Sequence, residues 1–283
     1  MFASLAALAL ATGPASITEW QEQCAGKEGW SDPAPPVRIH GNTYDVGTCG
    51  IVVLLIAGPK GHVLIDGATA EAVPGVAANI ARLGYRIGDV KWLLNSHEHV
   101  DHAGGLAGLK RLTGAKLAAR SPAARVLKTG ITDPADPQAG SIADFGPVAV
   151  DRIISDGEQI RVGPLVLTAI ATPGHTDGST SWTWRSCEGA TCRTMVYADS
   201  VSSPSRDDYR FRDHHERVAP FRWTFARLAA LKCDIIITPH PAASQLIERL
   251  AGKAPLVDRA ACKTYAARGR DALGKRLSSE SKR

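Results

Sequence analysis

The stretch Asn95-Ser-His-Glu-His-Val-Asp-His-Ala-Gly-Gly105 constrains this 283-residue chain more than any other. It places His97, His99, Asp101 and His102 within six residues of each other. Three imidazoles and a carboxylate held that close are costly to pack unless a cation binds them. Together they make a donor set for zinc and other divalent first-row metals. The apolar run Lys91–Leu94 ahead of the motif reads as a buried strand, and Ala103–Leu112 behind it as a helix. The motif therefore sits at a strand-to-helix turn, where His97 and His99 converge and Asp101 and His102 open the helix. Four ligands exceed what one metal needs while it keeps a water, so the surplus predicts two metals sharing the loop.

Two metals require remote ligands, and two histidines stand in suitable places. His175 lies in Thr172-Pro-Gly-His-Thr176, directly after the strand-like run 164–171. His240 lies in Thr238-Pro-His-Pro241, directly after the run 234–238. Strand ends are where α/β folds place chemistry. His40, His62, His214 and His215 lack such a setting and read as surface or packing residues. Glu98 alternates away from its histidine neighbours and reads as non-catalytic. Competing motifs are absent. The position four after His97 is Asp101, which excludes the helical zincin pattern. The chain has no Gly-x-Ser-x-Gly elbow and no P-loop.

The rest of the chain reads as an α/β protein. Strand-like runs at Thr43–Val46, Ile51–Ile56 and His62–Ile65 precede a helix over 70–83. A strand over Lys116–Ala119 and a helix over Pro122–Lys128 follow the motif. Strands near 158–161, 164–171, 180–185 and 193–198 lead to helices at 216–231, 243–251 and 256–277. This order predicts two α/β halves facing each other through their sheets. Residues 31–36 are a Pro-rich loop, and 129–147 form a long loop of the kind that serves as a lid or binding wall. With 44% hydrophobic and 22% charged residues the chain is globular, and a net charge of +5 is too mild to require nucleic acid or an anionic membrane.

Phe2–Ala11 is an apolar run of ten residues, too short to span a membrane. It fits the core of an export signal ending near Ala15, although no Lys or Arg precedes it. Residues 16–283 are then expected to form a single domain. None of the six cysteines forms a Cys-x-x-Cys pair, so zinc-ribbon and thioredoxin readings are weak. Fifteen connectivities are open in principle. Order along the chain suggests Cys24–Cys49, Cys187–Cys192 and Cys233–Cys262. Such bridges persist in oxidising compartments such as the bacterial periplasm.

His97-x-His99-x-Asp101-His102, with His175 and His240 downstream, resembles the metallo-β-lactamase superfamily over about residues 40–250. Pro173-Gly-His-Thr176, Tyr197-Ala-Asp-Ser-Val-Ser202 and the three cysteine pairs resemble its subclass B3. The resemblance implies an αββα sandwich, two facing mixed sheets flanked by helices, with the site at one sheet edge. It implies one zinc on His97, His99 and His175, and a second on Asp101, His102 and His240. It implies hydrolysis of the β-lactam ring of penicillins, cephalosporins and carbapenems by a zinc-bound hydroxide, which Asp101 orients. Ser200 and Ser202 are expected to bind the substrate carboxylate, and Gln138 to line the site. Asp66 reads as an outer partner for a ligand or as a turn residue. The expected partner is a small-molecule β-lactam, with no nucleic acid or membrane, acting on a periplasmic or secreted monomer. Asp177-Gly-Ser departs from the commoner Pro-Gly-Gly-like turn, and loop 129–147 carries its own sequence, which bears on substrate preference.

The alternative within the superfamily is a glyoxalase II-like thioester or lactone hydrolase. Those enzymes bridge both metals with an Asp after a strand, and Asp199 stands in that position. Export and disulfides count against a cytosolic glutathione thioester. A non-catalytic metal-binding scaffold is the third reading, and the intact set of six ligands argues against it.

Overall fold

The computed structural model describes residues 12–27 and 29–281, so the apolar run 2–11 lies outside the described residues. Gly13 N donates to Arg82 O, and Ala15 pairs with Val37.

Two sheets carry the architecture. The first contains β1 (Val37–His40), β2 (Thr43–Asp45), β3 (Leu54–Ile56), β4 (His62–Ile65), β5 (Val90–Leu94), β6 (Lys116–Arg120) and β7 (Arg152–Ile154) in that spatial order. Pairing is antiparallel from β1 to β4 and parallel from β4 to β7. The second sheet has the order β12 (Ile235–Ile237), β11 (Thr191–Tyr197), β10 (Thr180–Glu188), β9 (Leu165–Ala171), β8 (Gln159–Val162). It is antiparallel except for the β11–β12 pair.

The two sheets face each other across a buried apolar layer that includes Leu54, Ile65, Leu94, Leu167, Trp182 and Ile237. The outer face of the first sheet packs on α2 (Val73–Arg82), α4 (Leu106–Thr113) and α5 (Ser121–Thr129) through Val76, Ile80, Leu106, Leu109 and Leu127. The outer face of the second packs on α6 (His215–Ala230) and α8 (Ala261–Glu280) through Phe221, Phe225, Tyr265 and Leu273. Strands buried on both faces read as continuous apolar runs, which explains His62–Ile65 and Ile235–Ile237. The layers are helix, sheet, sheet, helix, as expected. Polar side chains also tie the sheets together, among them Trp182, Trp184 and Tyr197. Trp182 Nε1 donates to Asn95 O at 3.0 Å and Trp184 Nε1 to Thr43 Oγ1 at 3.2 Å. Tyr197 OH donates to Asp66 Oδ2 at 2.8 Å.

Several local expectations are corrected. Ile51–Val53 are not strand, because Val52 N donates to Pro239 O and Val53 N to Asp45 Oδ1, outside any ladder. The helix expected over 103–112 is split into α3 (Val100–Ala103) and α4 at Gly104-Gly105. The helix expected at 243–251 is a 3-10 turn over Pro241–Ser244 followed by α7 (Leu246–Leu250), and the C-terminal helix begins at Ala261 rather than 256. Helix α1 (Ile17–Cys24) and strands β1 and β7 were not expected. Residues 130–151 contain no helix or strand, in keeping with the long loop. The structure joins Cys24 to Cys49, Cys187 to Cys192 and Cys233 to Cys262.

Candidate metal centre

Five strand ends deliver the site. Asp66 follows β4, His97 and His99 follow β5, His175 follows β9, Asp199 follows β11, and His240 follows β12. Asp101 and His102 ride on the short helix α3, which is held tightly against the corner after β4. Gly67 N donates to His102 O, and Gly105 N to Ala68 O, both at 2.8 Å. A Cβ at Gly105 would lie 2.1 Å from Gly67 O, so only glycine fits there. The same corner holds Asp66 and Ala68 at φ 68° and 53°, a left-handed strain kept by these contacts.

His97, His99 and His175 bring one donor atom each within 4.8 Å of one another, and so do His97, Asp101 and His102. His240 joins the second group, with Nε2 3.3 Å from Asp101 Oδ2 and 3.4 Å from His102 Nε2. All six expected ligands are therefore assembled at one place. Four of the five imidazoles have one ring nitrogen hydrogen-bonded from outside. His97 Nδ1 is 2.8 Å from Asp199 Oδ1, His99 Nε2 is 3.1 Å from Asp136 Oδ2, and His175 Nδ1 is 3.0 Å from Ser202 O. His240 Nδ1 is 3.2 Å from Gly50 O. His102 Nδ1 lies 3.5 Å from Asp66 Oδ2, an ion-pair distance rather than a formed hydrogen bond. Such outer partners fix the tautomer and aim the free nitrogen inward. Here they leave Nδ1 of His99 and Nε2 of the other four for the shared space. Two ring nitrogens and a carboxylate oxygen meeting within 3.4 Å at His102, Asp101 and His240 form a set that a cation satisfies.

The electrostatics agree with that reading. Burial, then the neighbouring His102 and His99, push His97 well below the usual imidazole range. Burial, then His97 and His99, push His175 down to about 3. These rings are therefore neutral near pH 7, which is the form that binds metal. Burial would raise Asp101, but His102, His240 and His97 outweigh it and hold the carboxyl well below its usual value. Burial would lower His102, yet Asp101 and Asp66 raise it to about 10. This imidazole stays protonated beside two carboxylates only while nothing more positive occupies the site.

The other expected residues are placed less centrally. Gln138, half-buried, is the exception, with Nε2 3.3 Å from His99 Nδ1, the ring nitrogen turned to the shared space. Ser202 is exposed, and its carbonyl rather than its hydroxyl makes the shorter contact to His175. Ser200 is buried. Asp199 lies behind His97, and its backbone N donates to Ser181 Oγ at 2.9 Å. Glu98 points away from the donors, as expected, but it is buried and bonded to Thr176 and Gly178. Asp136 was missed by the sequence reading. Its only signal was membership of the long loop already marked as a site wall.

Comparison with known proteins agrees with this geometry. A family model described as the metallo-beta-lactamase superfamily matches residues 46–240. The metallo-β-lactamase MIM-1 of Novosphingobium pentaromativorans is 49% identical, with a TM-score of 0.91 over 93% of this chain and 98% of that one. MEM-A1, a subclass B3 metallo-β-lactamase from a soil metagenome, is 42% identical, with a TM-score of 0.86 over 89% of this chain and 99% of that one. A hydroxyacylglutathione hydrolase of Methylococcus capsulatus is 28% identical over 47% of this chain and 44% of its own length. The chain thus spans about half the length of the curated relatives it matches. On the family match, the ligand cluster and the layered fold, the chain belongs to the metallo-β-lactamase superfamily.

Proposed function

We propose that this protein is a zinc-dependent hydrolase that opens the β-lactam ring of penicillins, cephalosporins and carbapenems. One observation carries the reading. Five imidazoles converge with the Asp101 carboxylate on a single space, four with an outer ring nitrogen hydrogen-bonded and the fifth, His102, facing the Asp66 carboxylate at 3.5 Å. His97, His99 and His175 would hold one zinc, and Asp101, His102 and His240 the other. Zinc, when bound, lowers the pKa of water towards neutrality and polarises a carbonyl. The chain's own groups supply orientation and proton transfer. Asp101, kept ionised despite burial, accepts the proton of the attacking water at its carboxylate and passes it to the lactam nitrogen as the C–N bond breaks and the C–O bond forms. Ser202 and Gln138 orient the substrate, with Ser200, more buried, as the third expected contact.

The thioester-hydrolase alternative needs Asp199 between the metals. Asp199 Oδ1 rests instead on the outer nitrogen of His97, which supports an orienting role. Similarity to β-lactamases over nearly the whole chain, against half-length similarity to thioester hydrolases, supports the same choice. The three cysteine pairs and the apolar start support export to the periplasm or beyond. Among the described residues no helix is long and apolar enough to cross a membrane.

The test is turnover of a penicillin, a cephalosporin, a carbapenem and S-lactoylglutathione, with and without a chelator. Chelator-sensitive hydrolysis of β-lactams is expected. Hydrolysis of the thioester alone would overturn the reading.

A further inference from the structure

We propose that Glu98 is a positioning residue that straps the His97–His99 segment to the His175 turn and so sets metal affinity at the three-histidine site. The proposal rests on the metal-binding reading above. Glu98 lies between two expected ligands in sequence, and alternation turns its side chain to the opposite side of the loop. There it is buried, 5% exposed, with both carboxylate oxygens engaged. Thr176 Oγ1 donates to Oε2 and Gly178 N to Oε1, both at 2.9 Å. These donors stand one and three residues after His175. A single carboxylate therefore connects all three members of the site, which lie on segments about 80 residues apart in the chain.

The contact is built into both partners. A Cβ at Gly178 would come within 2.4 Å of Glu98 Oε2 and 2.5 Å of Ala123 N, so the turn reaches the carboxylate only because position 178 is glycine. The turn is internally braced by Thr176 N donating to Ser179 Oγ at 3.1 Å, and Arg120 holds Ser179 O from outside at 2.9 Å. A second strap, Thr180 N to Ser96 O at 2.7 Å, lies on the other side of His97. The second site has no such dependence. Its ligands Asp101 and His102 are fixed on α3 by the Gly67 and Gly105 contacts, and His240 by Gly50 O. Glu98 is not a proton donor to substrate, because its oxygens face Thr176 and Gly178 and not the donor space.

The experiment is cobalt(II) titration of the apoprotein, read by absorption bands that separate the three-histidine site from the site containing a carboxylate. Apo melting temperature is measured alongside. Glu98→Ala should weaken the three-histidine site by about tenfold or more while the second site changes little. Glu98→Gln, which keeps an acceptor in place, should restore most of that loss. Thr176→Val should weaken the same site to a smaller degree, and it carries the test if Glu98→Ala does not fold. Equal weakening of both sites in step with a lower melting temperature would overturn the proposal, as would no change. Wild-type protein that takes up two cobalt ions but hydrolyses no β-lactam would sink the functional reading and leave this one standing. Wild-type protein that takes up none would sink both.

Discussion

Replacing Asp199 with Asn separates two chemistries that the sequence left open. Asp199 Oδ1 lies 2.8 Å from His97 Nδ1, and its Oδ2 is buried with no hydrogen-bond partner. Burial pushes the Asp199 carboxyl up, so its ionised form depends on the groups packed around it. Asn is nearly isosteric and keeps the oxygen that accepts from His97. What it removes is the negative charge that makes the imidazole a stronger donor. Losing an outer carboxylate of this kind costs roughly 10–100-fold in metal affinity, or about 1.4–2.7 kcal/mol. Because Asn retains the hydrogen bond, Asp199→Asn should fall at the lower end. The assay is zinc uptake by the apoprotein against a competing chelator, followed by zinc content at saturating metal. The expected result is weaker binding at the three-histidine site with two equivalents still bound at saturation. A missing equivalent at saturation, with the second site weakened as well, would make Asp199 a bridging ligand and refute the orienting role. Unchanged affinity would show that the contact to His97 does not tune the metal.

Other consequences follow from groups away from the metals. Asp45 is buried, with Oδ1 accepting from Gly47 N and Val53 N, and burial raises its carboxyl from 3.8 to about 7 despite those bonds. Its folded form therefore keeps a proton that the unfolded form releases, and its stability contribution is lost as pH rises from about 4 through about 7. Asp45→Asn should flatten that part of the apo melting-temperature profile and gain stability above pH 7, with roughly 4 kcal/mol as the upper limit; a variant that tracks wild type across the window would contradict it. Reducing the cysteine pairs should cost unequally. Cys24–Cys49 and Cys233–Cys262, with separations of 25 and 29, are each worth about 3.5 kcal/mol by loop closure, and Cys187–Cys192, with a separation of 5, about 2. Denaturant unfolding of the paired Ser variants checks the order, and a larger loss at Cys187–Cys192 would reverse it. Gly105→Ala should lower stability and weaken the Asp101–His102 site together, because its Cβ meets Gly67 O; full retention of both would mean that the corner relaxes freely.

The sequence revealed the ligands because they obey local rules. His97 to His102 share one turn, and His175 and His240 each follow a strand that its apolar run announces. Strands β4, β5, β6 and β9 were legible for the same reason. Elements without local periodicity were not. β7 pairs with β6 only at Ala118–Arg120, and its central Ile153 is exposed, so Arg152–Ile154 carries neither alternation nor an apolar run. Ile51–Val53 look like strand by composition, yet Val52 N is taken by the distant Pro239 O, and Ile51 and Val53 bond back to Asp45, Val46 and Thr48 in a turn. Asp136 reaches His99 from a loop with no regular structure, 37 residues downstream. Nothing local to Asp136 distinguishes it from Asp133 or Asp144.

The division of labour between ligands and their supports explains that difference. A ligand must be present for the chemistry, and a turn at a strand end is the simplest way to present one. A support only has to meet the outward nitrogen of a ring whose place is already set, so any segment that packs against the ring will do. Here the supports come from Gly50, Asp66, Asp136, Asp199 and Ser202, on four separate segments, and two of the five are main-chain carbonyls that carry no sequence signal at all. Metal affinity in this protein is therefore distributed over residues far from the motif that announces the metal. Changes in loop 129–147 or in the segment after Tyr197, which also form the rim, should alter zinc affinity and substrate preference together, since Asp136 with Gln138 and Asp199 with Ser202 serve both walls and ligands.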